Sequence, residues 1–496
     1  MLFHELVDTS ARVAATGSRT AKVAALARTL RAADAGELDV VAHFLSGSLR
    51  QRRTGVGWRS LATRPEPAAT PALGVSEVDA AFAELAALAG AGSQSARQQV
   101  LAGLLARATS AEQSFLVGLL TGETRQGALE GVLLAAIAQA FDVPLEAARR
   151  AAMFSGSIPV VAVTAHRGGE AALAAVGLEV GRPVLPMLAA SAPTVAEALG
   201  RFTAAPVSVE AKLDGIRIQV HRDGAAVSVY SRSLDDITAR LPHVVDAVAA
   251  LPAERLVLDG EALALGPDGR PMAFQDTASA GARLRPFFFD LLHLDDLDLV
   301  DDPLATRQAR LAALLPSGLM VDRLVTADAG EAEEFSRQVL AAGHEGVVVK
   351  ALDAGYAAGR RGAGWVKVKP VHTLDLVVLA VEWGSGRRQG WLSNIHLGAR
   401  DPRTGGFAML GKTFKGMTDE MLAWQTARFL GLETGREGHV VHLRPEQVVE
   451  VAFDGVQRSR RYPSGMALRF ARVVRYREDK TAQDADTVDA VRALAR

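Results

Sequence analysis

Lys212-Leu213-Asp214-Gly215-Ile216-Arg217 is the stretch on which the reading of this chain turns. It supplies an amine able to attack phosphorus and, five residues on, a guanidinium able to hold an anionic product. Its flanks read as strands. Ile216, Ile218 and Val220 alternate, Asp223-Gly224 turns the chain, and Val227 and Val229 alternate again, which is a hairpin signature. Leu241, Val244, Val245, Val248 and Leu251 follow with helical period. Strands return at Leu256 to Leu258, Phe287 to Phe289 and Val347 to Val349. Hairpins mixed with helices predict an antiparallel-rich α+β unit rather than a doubly wound sheet. Gly181-Arg182-Pro183-Val184-Leu185-Pro186 marks its upstream boundary.

The character of the chain changes on either side. Residues 1 to about 175 are rich in alanine and helical in period, as at Val23, Leu26, Ala27 and Leu30, and at Leu129, Val132, Leu133, Ala136 and Ile137. Arg64 to Pro71, rich in proline and alanine, reads as a loop inside this part. After residue 371 come short strands with glycine-rich turns: Leu374 to Val381, Trp391 to Leu397, Phe407 to Leu410 and Val448 to Phe453. That pattern suits a small barrel, followed by a helix carrying Val488, Val491 and Leu494. The expected division is an all-α unit at 1–178, an α+β unit at 179–370 and a β-barrel unit at 371–496. Three domains of roughly 150 residues each fit the length.

Composition narrows the chemistry. The chain is 49% hydrophobic with a net charge of -1, as expected of a soluble protein with ample core. It has no cysteine, which excludes disulfides, cysteine-based zinc sites and thiol catalysis. The start, Met1-Leu2-Phe3-His4-Glu5, lacks the pattern of a signal peptide, and no apolar run reaches the ~18 residues of a membrane span. A cytoplasmic location is expected. Only eight residues are lysine, against 47 arginines, and seven of those eight lie in the C-terminal 285 residues. Arginine does not deprotonate in practice, so any chemistry needing an amine has few candidates here.

Several segments offer what an attacking lysine needs. Glu210, Lys212 and Asp214 are spaced to share one face of an extended chain. Lys367 and Lys369, in Trp365-Val366-Lys367-Val368-Lys369, are spaced likewise. Two like charges aimed at one pocket would lower an amine's pKa and neutralise phosphate, although a solvated strand face explains them as simply. Glu261, after Asp259-Gly260, and Glu345, before Gly346, are carboxylates of the kind that hold magnesium with phosphate oxygens, or ordinary turn residues. In Phe287-Phe288-Phe289-Asp290 the rings are core, or one stacks on a base. Arg469 to Lys480 carries five basic side chains in twelve residues, interleaved with aromatics. It is either a solvated strand or a polyphosphate or nucleic-acid contact. In the helical third, Arg50, Arg52, Arg53 and Arg59, and Arg125 within Gly122-Glu123-Thr124-Arg125-Gln126-Gly127, are solvated helix ends or a phosphate-binding surface.

The order of these segments is itself specific. Lys-x-Asp-Gly, Ser-Arg, Asp-Gly-Glu, Phe-Asp, Glu-Gly, Lys-x-Lys and a basic C-terminus come in sequence. This resembles the covalent nucleotidyltransferase superfamily and, within it, the ATP-dependent DNA ligases. Glu210 to Arg217 looks like the adenylation motif, Tyr230 to Thr238 like the next, and Arg469 to Lys480, ending Arg-Glu-Asp-Lys, like the last. The helical third resembles the DNA-binding domain of larger ligases at Gly122 to Gly127. Length and layout are most like the bacterial B-type ligases of high-GC bacteria.

The resemblance implies an OB-fold for the C-terminal barrel, ATP and Mg2+ as cofactors, and nicked duplex DNA as substrate. It implies a monomer located in the cytoplasm with the nucleoid. It further implies that Lys212 takes AMP from ATP, that AMP passes to a 5′-phosphate, and that a 3′-hydroxyl displaces it. Glu210 would bind the adenine amino group and Phe289 would stack on the ring. Arg217, Arg232 and Glu261 would contact ribose or phosphate. Glu345, with Glu261, would organise the metal. Arg361, Lys367 and Lys369 would hold the AMP phosphate, and Arg472 and Lys480 would orient pyrophosphate in the first step only. Arg52, Arg53 and Arg125 would contact DNA. A capping enzyme or an RNA ligase would lack the helical third, an NAD-dependent ligase would be expected to carry zinc-binding cysteines, and a non-enzymatic nick-binding protein would have lost Lys212 or a glutamate.

Overall fold

The computed structural model describes residues 1–51, 53–124, 130–202, 206–272, 275, 277, 283–357, 361–385 and 388–495, and of 361–363 the backbone alone. Arg52 and Arg125 lie outside the described residues, as does the side chain of Arg361. Among the described residues no helix is long and apolar enough to cross a membrane.

The first third is helical, as its period predicts. The helices are α1 (Phe3–Ala15), α2 (Arg19–Ala32), α3 (Leu38–Ser46), α4 (Val75–Ala87), α5 (Ser93–Ala106), α6 (Ser110–Thr121), α7 (Glu130–Phe141), α8 (Leu145–Ser155) and α9 (Ile158–Ala174). Leu26, Ala27 and Leu30 of α2 and Val132, Leu133, Ala136 and Ile137 of α7 are buried in one core. Phe3 packs against Phe44 and Phe115 within it, and Phe44 against Phe82. Local signals set the boundaries: Thr109 and Glu112 form a capping box at the start of α6. Residues 64–71 carry neither helix nor strand, as expected of that stretch.

The middle third holds two five-stranded sheets. Its strands are β1 (Leu188–Ala192), β2 (Val207–Lys212), β3 (Ile216–Asp223), β4 (Ala226–Ser231), β5 (Arg255–Leu263), β6 (Arg285–Leu294), β7 (Leu297–Asp298), β8 (Arg323–Thr326), β9 (Gly346–Ala351) and β10 (Arg361–Val368). One sheet runs β1-β10-β9-β2-β8, the other β4-β3-β5-β6-β7. All pairs but β1 with β10 are antiparallel, which agrees with the α+β expectation. The predicted hairpin is β3–β4, and the predicted helix spans Pro242–Ala249. Leu263, Phe287 and Phe289 of the second sheet pack against Val209, Val349 and Val366 of the first, so the sheets share a core.

The last third is built around one long strand. Its strands are β11 (His372–Trp383), β12 (Leu392–Arg400), β13 (Phe407–Thr413), β14 (Glu433–Glu437), β15 (Val440–Leu443), β16 (Val448–Phe453), β17 (Gly455–Arg458), β18 (Met466–Arg469) and β19 (Arg472–Arg477). β11 pairs with β12 along one edge. Along the other, residues 372–377 pair with β16 and residues 380–382 with β15. The sheet therefore splits along β11, and among the described residues its strand pairing closes no barrel. What stands of the expected unit is a C-terminal sheet domain. β13 and β19 do approach, through Thr413 Oγ1 donating to the Ala471 carbonyl at 2.6 Å and Val473 N donating to the Lys415 carbonyl at 2.9 Å. A helix, Asp419–Gly431, packs Leu422 and Phe429 against the sheet. The sequence reading did not include it, although Thr418-Asp419-Glu420 ahead of Leu422 is a helix start. The final helix, Val488–Ala493, is as expected.

Gly346 opens β9 where the chain has no room for a side chain. Its φ is +147°, and an added Cβ would run into the Val368 carbonyl oxygen and lie 2.9 Å from Lys369 Cα. Both obstacles are backbone. Gly346→Ala is expected to cost about 3 kcal/mol or more, because strain and overlap add. Urea unfolding followed by circular dichroism measures this, and a change under about 1 kcal/mol would show that the strand end relaxes freely.

Candidate active site

The cavity between the two middle sheets is lined from both. β2 contributes Glu210 and Lys212, β9 contributes Val348 and Lys350, and β10 contributes Trp365 and Lys367. From the facing sheet come Arg217, Glu261 and Phe289, with Arg232 beyond the end of β4. Alternation sets this pattern, since Glu210 and Lys212 lie two apart on β2 and reach the same face.

Lys212 is the last residue of β2. Its carbonyl accepts from Glu345 N at 3.0 Å, and its ammonium is paired with Glu345 Oε2. Glu345 Oε1 lies 3.1 Å from Lys369 Nζ, and Lys369 also pairs with Asp454 of the C-terminal sheet. Lys369 is raised above the ordinary lysine range: burial works against its charge, and Asp454 and Glu345 outweigh it. Glu345 is correspondingly held below the usual carboxylate range, because Lys212 and Lys369 overcome the cost of its burial. Lys212 and Asp214 do not share a strand face. β2 stops at Lys212, and Asp214 turns away to meet Arg469 of the C-terminal unit at 2.8 Å.

The facing wall is a network of buried charge. Arg217 donates to both oxygens of Asp259, at 2.7 and 2.6 Å, and Tyr356 donates to Asp259 Oδ2 at 2.7 Å. Burial opposes the Arg217 charge, but Asp259 holds the guanidinium above its ordinary range. The same guanidinium sits 4.9 Å from the centre of the Phe289 ring. Glu261 Oε1 accepts from Gly215 N at 3.2 Å. A side chain at Gly215 would clash with the Ala262 carbonyl at 2.5 Å, which explains the glycine of the opening hexapeptide. Burial pushes the Glu261 carboxyl up to about 7, although Arg217 and Lys212 pull it down.

Glu210 is buried at the back of the cavity. Lys350 Nζ is 2.5 Å from its Oε2, and Gln308 Nε2 donates to its Oε1 at 2.6 Å. The Lys350 ammonium also lies over two rings, 4.5 Å from the centre of Phe289 and 4.2 Å from that of Trp365.

The sequence-predicted residues fall into those around this cavity and those apart from it. Lys212, Glu210, Arg217, Arg232, Glu261, Phe289 and Lys367 line it. Lys369 and Glu345 adjoin Lys212 through the ion pairs above. Arg361 lies in β10, and its side chain is outside the described residues. Arg472 and Lys480 are not brought to the cavity. Arg472 is 3.9 Å from Asp454, and Lys480 is 2.6 Å from Asp375 on the C-terminal sheet. Of the arginines in the helical third, Arg50 is paired with Asp79 at 2.6 Å and Arg53 is exposed. Glu261 and Glu345 supply hard oxygen donors, but among the described residues no group of three His, Cys, Asp or Glu side chains could hold a metal ion. Asp259, Gln308, Tyr356, Asp454 and the roles of Lys350 and Trp365 were missed. Asp259 and Trp365 stood within quoted motifs and Lys350 directly after the strand Val347 to Val349, whereas Gln308, Tyr356 and Asp454 carried no local signal.

Three family models match the chain. They are an ATP dependent DNA ligase domain over residues 186–369, an ATP dependent DNA ligase C terminal region over 388–480, and a DNA ligase N terminus over 59–138. A probable DNA ligase of Nocardioides sp. is 62% identical over 504 residues, spanning 100% of this chain and 99% of that protein. One of Kineococcus radiotolerans is also 62% identical over 504 residues, spanning 100% of each. Among solved structures, one titled Pmar-Lig_PreS3 superposes with a TM-score of 0.65 at 18% identity, over 95% of this chain and 99% of that one, and so shares the fold.

Glu261 generates a pH signature. Its folded pKa, about 7, is above the unfolded value of 4.5, so the folded state holds this proton more tightly. Its contribution to stability is full below 4.5 and is lost as pH rises through 7. Glu261→Gln, which keeps an acceptor for Gly215 N, is expected to flatten that decline. Urea denaturation from pH 5 to pH 8 reads it out, and parallel curves for the two proteins would contradict the assignment.

Proposed function

The chain belongs to the ATP-dependent DNA ligase family and is an enzyme of that class, and on that premise we propose that Lys212 is the residue that carries AMP between ATP and a nicked duplex. The observation behind this reading is the convergence of Glu210, Lys212, Arg232, Glu261, Phe289 and Lys367, from separate segments of both sheets, on one cavity.

In the first step Lys212 Nζ, having given up a proton, attacks the α-phosphorus of ATP. A P–N bond forms, the bond to the bridging oxygen breaks, and pyrophosphate leaves with the electron pair. Glu345 is the nearest acceptor for the proton of the lysine. An oxygen of the nick's 5′-phosphate then attacks the AMP phosphorus, the P–N bond breaks and the Lys212 amine leaves, taking up a proton; the 3′-hydroxyl finally gives up its proton and attacks the 5′-phosphate, breaking its bond to AMP, which leaves as the strand closes. Little covalent work falls to other side chains, so positioning and charge neutralisation dominate. Glu210 reads the adenine amino group and Phe289 stacks on the ring. Arg217, already committed to Asp259, serves the nucleotide by holding the wall, while Arg232 and Glu261 face ribose or phosphate. Arg361, Lys367 and Lys369 hold the AMP phosphate.

Mg2+ fits the same reading in part. Glu345 and Glu261 would hold it, with phosphate oxygens of the nucleotide completing its shell, and it would neutralise charge on those oxygens. Arg472 and Lys480 lie outside the cavity, so their proposed role in orienting pyrophosphate requires the C-terminal unit to turn toward it. That unit, residues 371–496, is read as an OB-fold, next to an adenylation domain at 179–370 and a helical DNA-binding domain at 1–178. Arg53, with Arg52 and Arg125, is assigned to the DNA backbone. A monomer is the proposed working unit.

Incubation with α-labelled ATP is expected to give acid-labile, protein-bound AMP, absent in Lys212→Ala and absent with labelled GTP or NAD. Failure of ATP to label the protein would sink the mechanism. Lys480→Ala is expected to lower labelling by about tenfold or more while sparing closure of pre-adenylated nicks, as loss of one charge-assisted contact implies. Equal loss of both activities would remove the first-step role.

A further inference from the structure

The mechanism above uses Glu210 but leaves unexplained the buried polar groups behind it. A carboxylate offers about four acceptor sites. Oε1 accepts from Gln308 Nε2 at 2.6 Å and from Ser208 Oγ at 3.2 Å. Oε2 faces Lys350 Nζ at 2.5 Å. The Lys350 contact is an ion pair without hydrogen-bond geometry, so Oε2 keeps acceptor capacity. Glu210 lines the cavity, whereas Ser208 and Gln308 lie behind it, outside the lining. All four side chains are buried.

The direction of every hydrogen bond here follows from chemistry. Lys350 can only donate. The Gln308 atom beside the carboxylate must be its amide nitrogen, since a carboxylate oxygen would repel the amide oxygen. That nitrogen also donates to Ser208 Oγ at 3.1 Å, so the Ser208 proton is free to point at Glu210 Oε1. Burial raises the Glu210 pKa while Lys350 draws it down; as the ionised carboxylate, surrounded by donors, Glu210 presents only acceptor character to the cavity.

Gln308 itself is fixed in place. It sits on the helix Leu304–Leu314, whose Leu304 and Leu311 are buried. The preceding residue, Arg307, makes a fully buried bidentate pair with Asp290, at 2.7 and 3.0 Å. The helix cannot shift by an ångström without breaking that pair.

We propose that Gln308, with Ser208, is a positioning residue for base selectivity: it holds Glu210 as an oriented, acceptor-only carboxylate that takes a 6-amino purine and refuses a 6-oxo one. This rests on the reading of the cavity as the adenine seat. A 6-amino group donates to the remaining Oε2 site, whereas a 6-oxo group would set two acceptors against each other, and a buried unmatched pair is strongly disfavoured. Neither Gln308 nor Ser208 touches the base.

The test measures protein-bound nucleotide formation by the full chain with ATP, inosine triphosphate, and the triphosphate of purine riboside, which has only hydrogen at position 6. Gln308→Met keeps the bulk of the side chain, and Ser208→Ala covers the case in which Gln308→Met does not fold. Glu210→Ala tests the underlying reading. The wild-type chain should favour ATP. Gln308→Met should lower the ATP-to-inosine ratio by about tenfold, and Ser208→Ala by about threefold, mostly through slower use of ATP, as expected for losing one orienting hydrogen bond. A merely structural role would slow all three nucleotides alike and leave the ratio unchanged. If Glu210→Ala lowers the ratio while both other variants preserve it, the proposal is wrong and the adenine reading stands. If Glu210→Ala also leaves the ratio unchanged, the adenine reading is wrong and takes the proposal with it.

Discussion

The pairing of β2 with β9 is the constraint on which the rest of the cavity depends. The register sets Ser208 opposite Lys350, Glu210 opposite Val348 and Lys212 opposite Gly346. It places Lys212 at the end of its strand, where the Lys212 carbonyl accepts from Glu345 N and the two side chains can meet. A slip of one residue would turn Glu210 and Lys212 to the opposite face together. The glycine at the start of β9 protects this register, since only a residue without Cβ allows the chain to pass so close to Val368 and Lys369.

Around that register the protein buries an unusual amount of charge and pairs it. Arg217 has Asp259, Glu210 has Lys350, Glu345 has two lysines, and Arg307 has Asp290. Ion pairs of this kind seldom add much stability, because desolvation offsets the attraction. They do fix where side chains point. A nucleotide site gains from that, since interactions set in place before the reaction need no reorganisation during it. Glu261 departs from the rule: its acceptor contact is only a backbone N–H, and burial leaves its proton held up to about neutral pH.

The C-terminal unit reaches the site through two contacts, Arg469 with Asp214 and Lys369 with Asp454. Both involve residues of the motifs themselves, so the position of this unit and the charge around Lys212 are linked. Lys212 and Lys369 share Glu345, and Lys369 also holds Asp454, so one chain of ion pairs joins Lys212 to the C-terminal sheet.

Much of this was legible in the residues alone. The helical third followed from apolar spacing and alanine content, the hairpin at β3–β4 from alternation around Asp223-Gly224, and the members of the cavity from the order of short motifs. These are local signals, carried within a few residues by helix or strand period. Tertiary structure decided which charge faces which. Lys212 meets a glutamate 133 residues away, Glu210 a glutamine 98 residues away and Asp214 an arginine 255 residues away. No periodicity encodes such pairings, and so spacing paired Lys369 with Lys367 while the fold sets it beside Lys212, the two sharing Glu345. The C-terminal sheet carries the same lesson: strand period marked Leu374 to Val381 as a strand, but only packing could divide that strand between two partners on one edge.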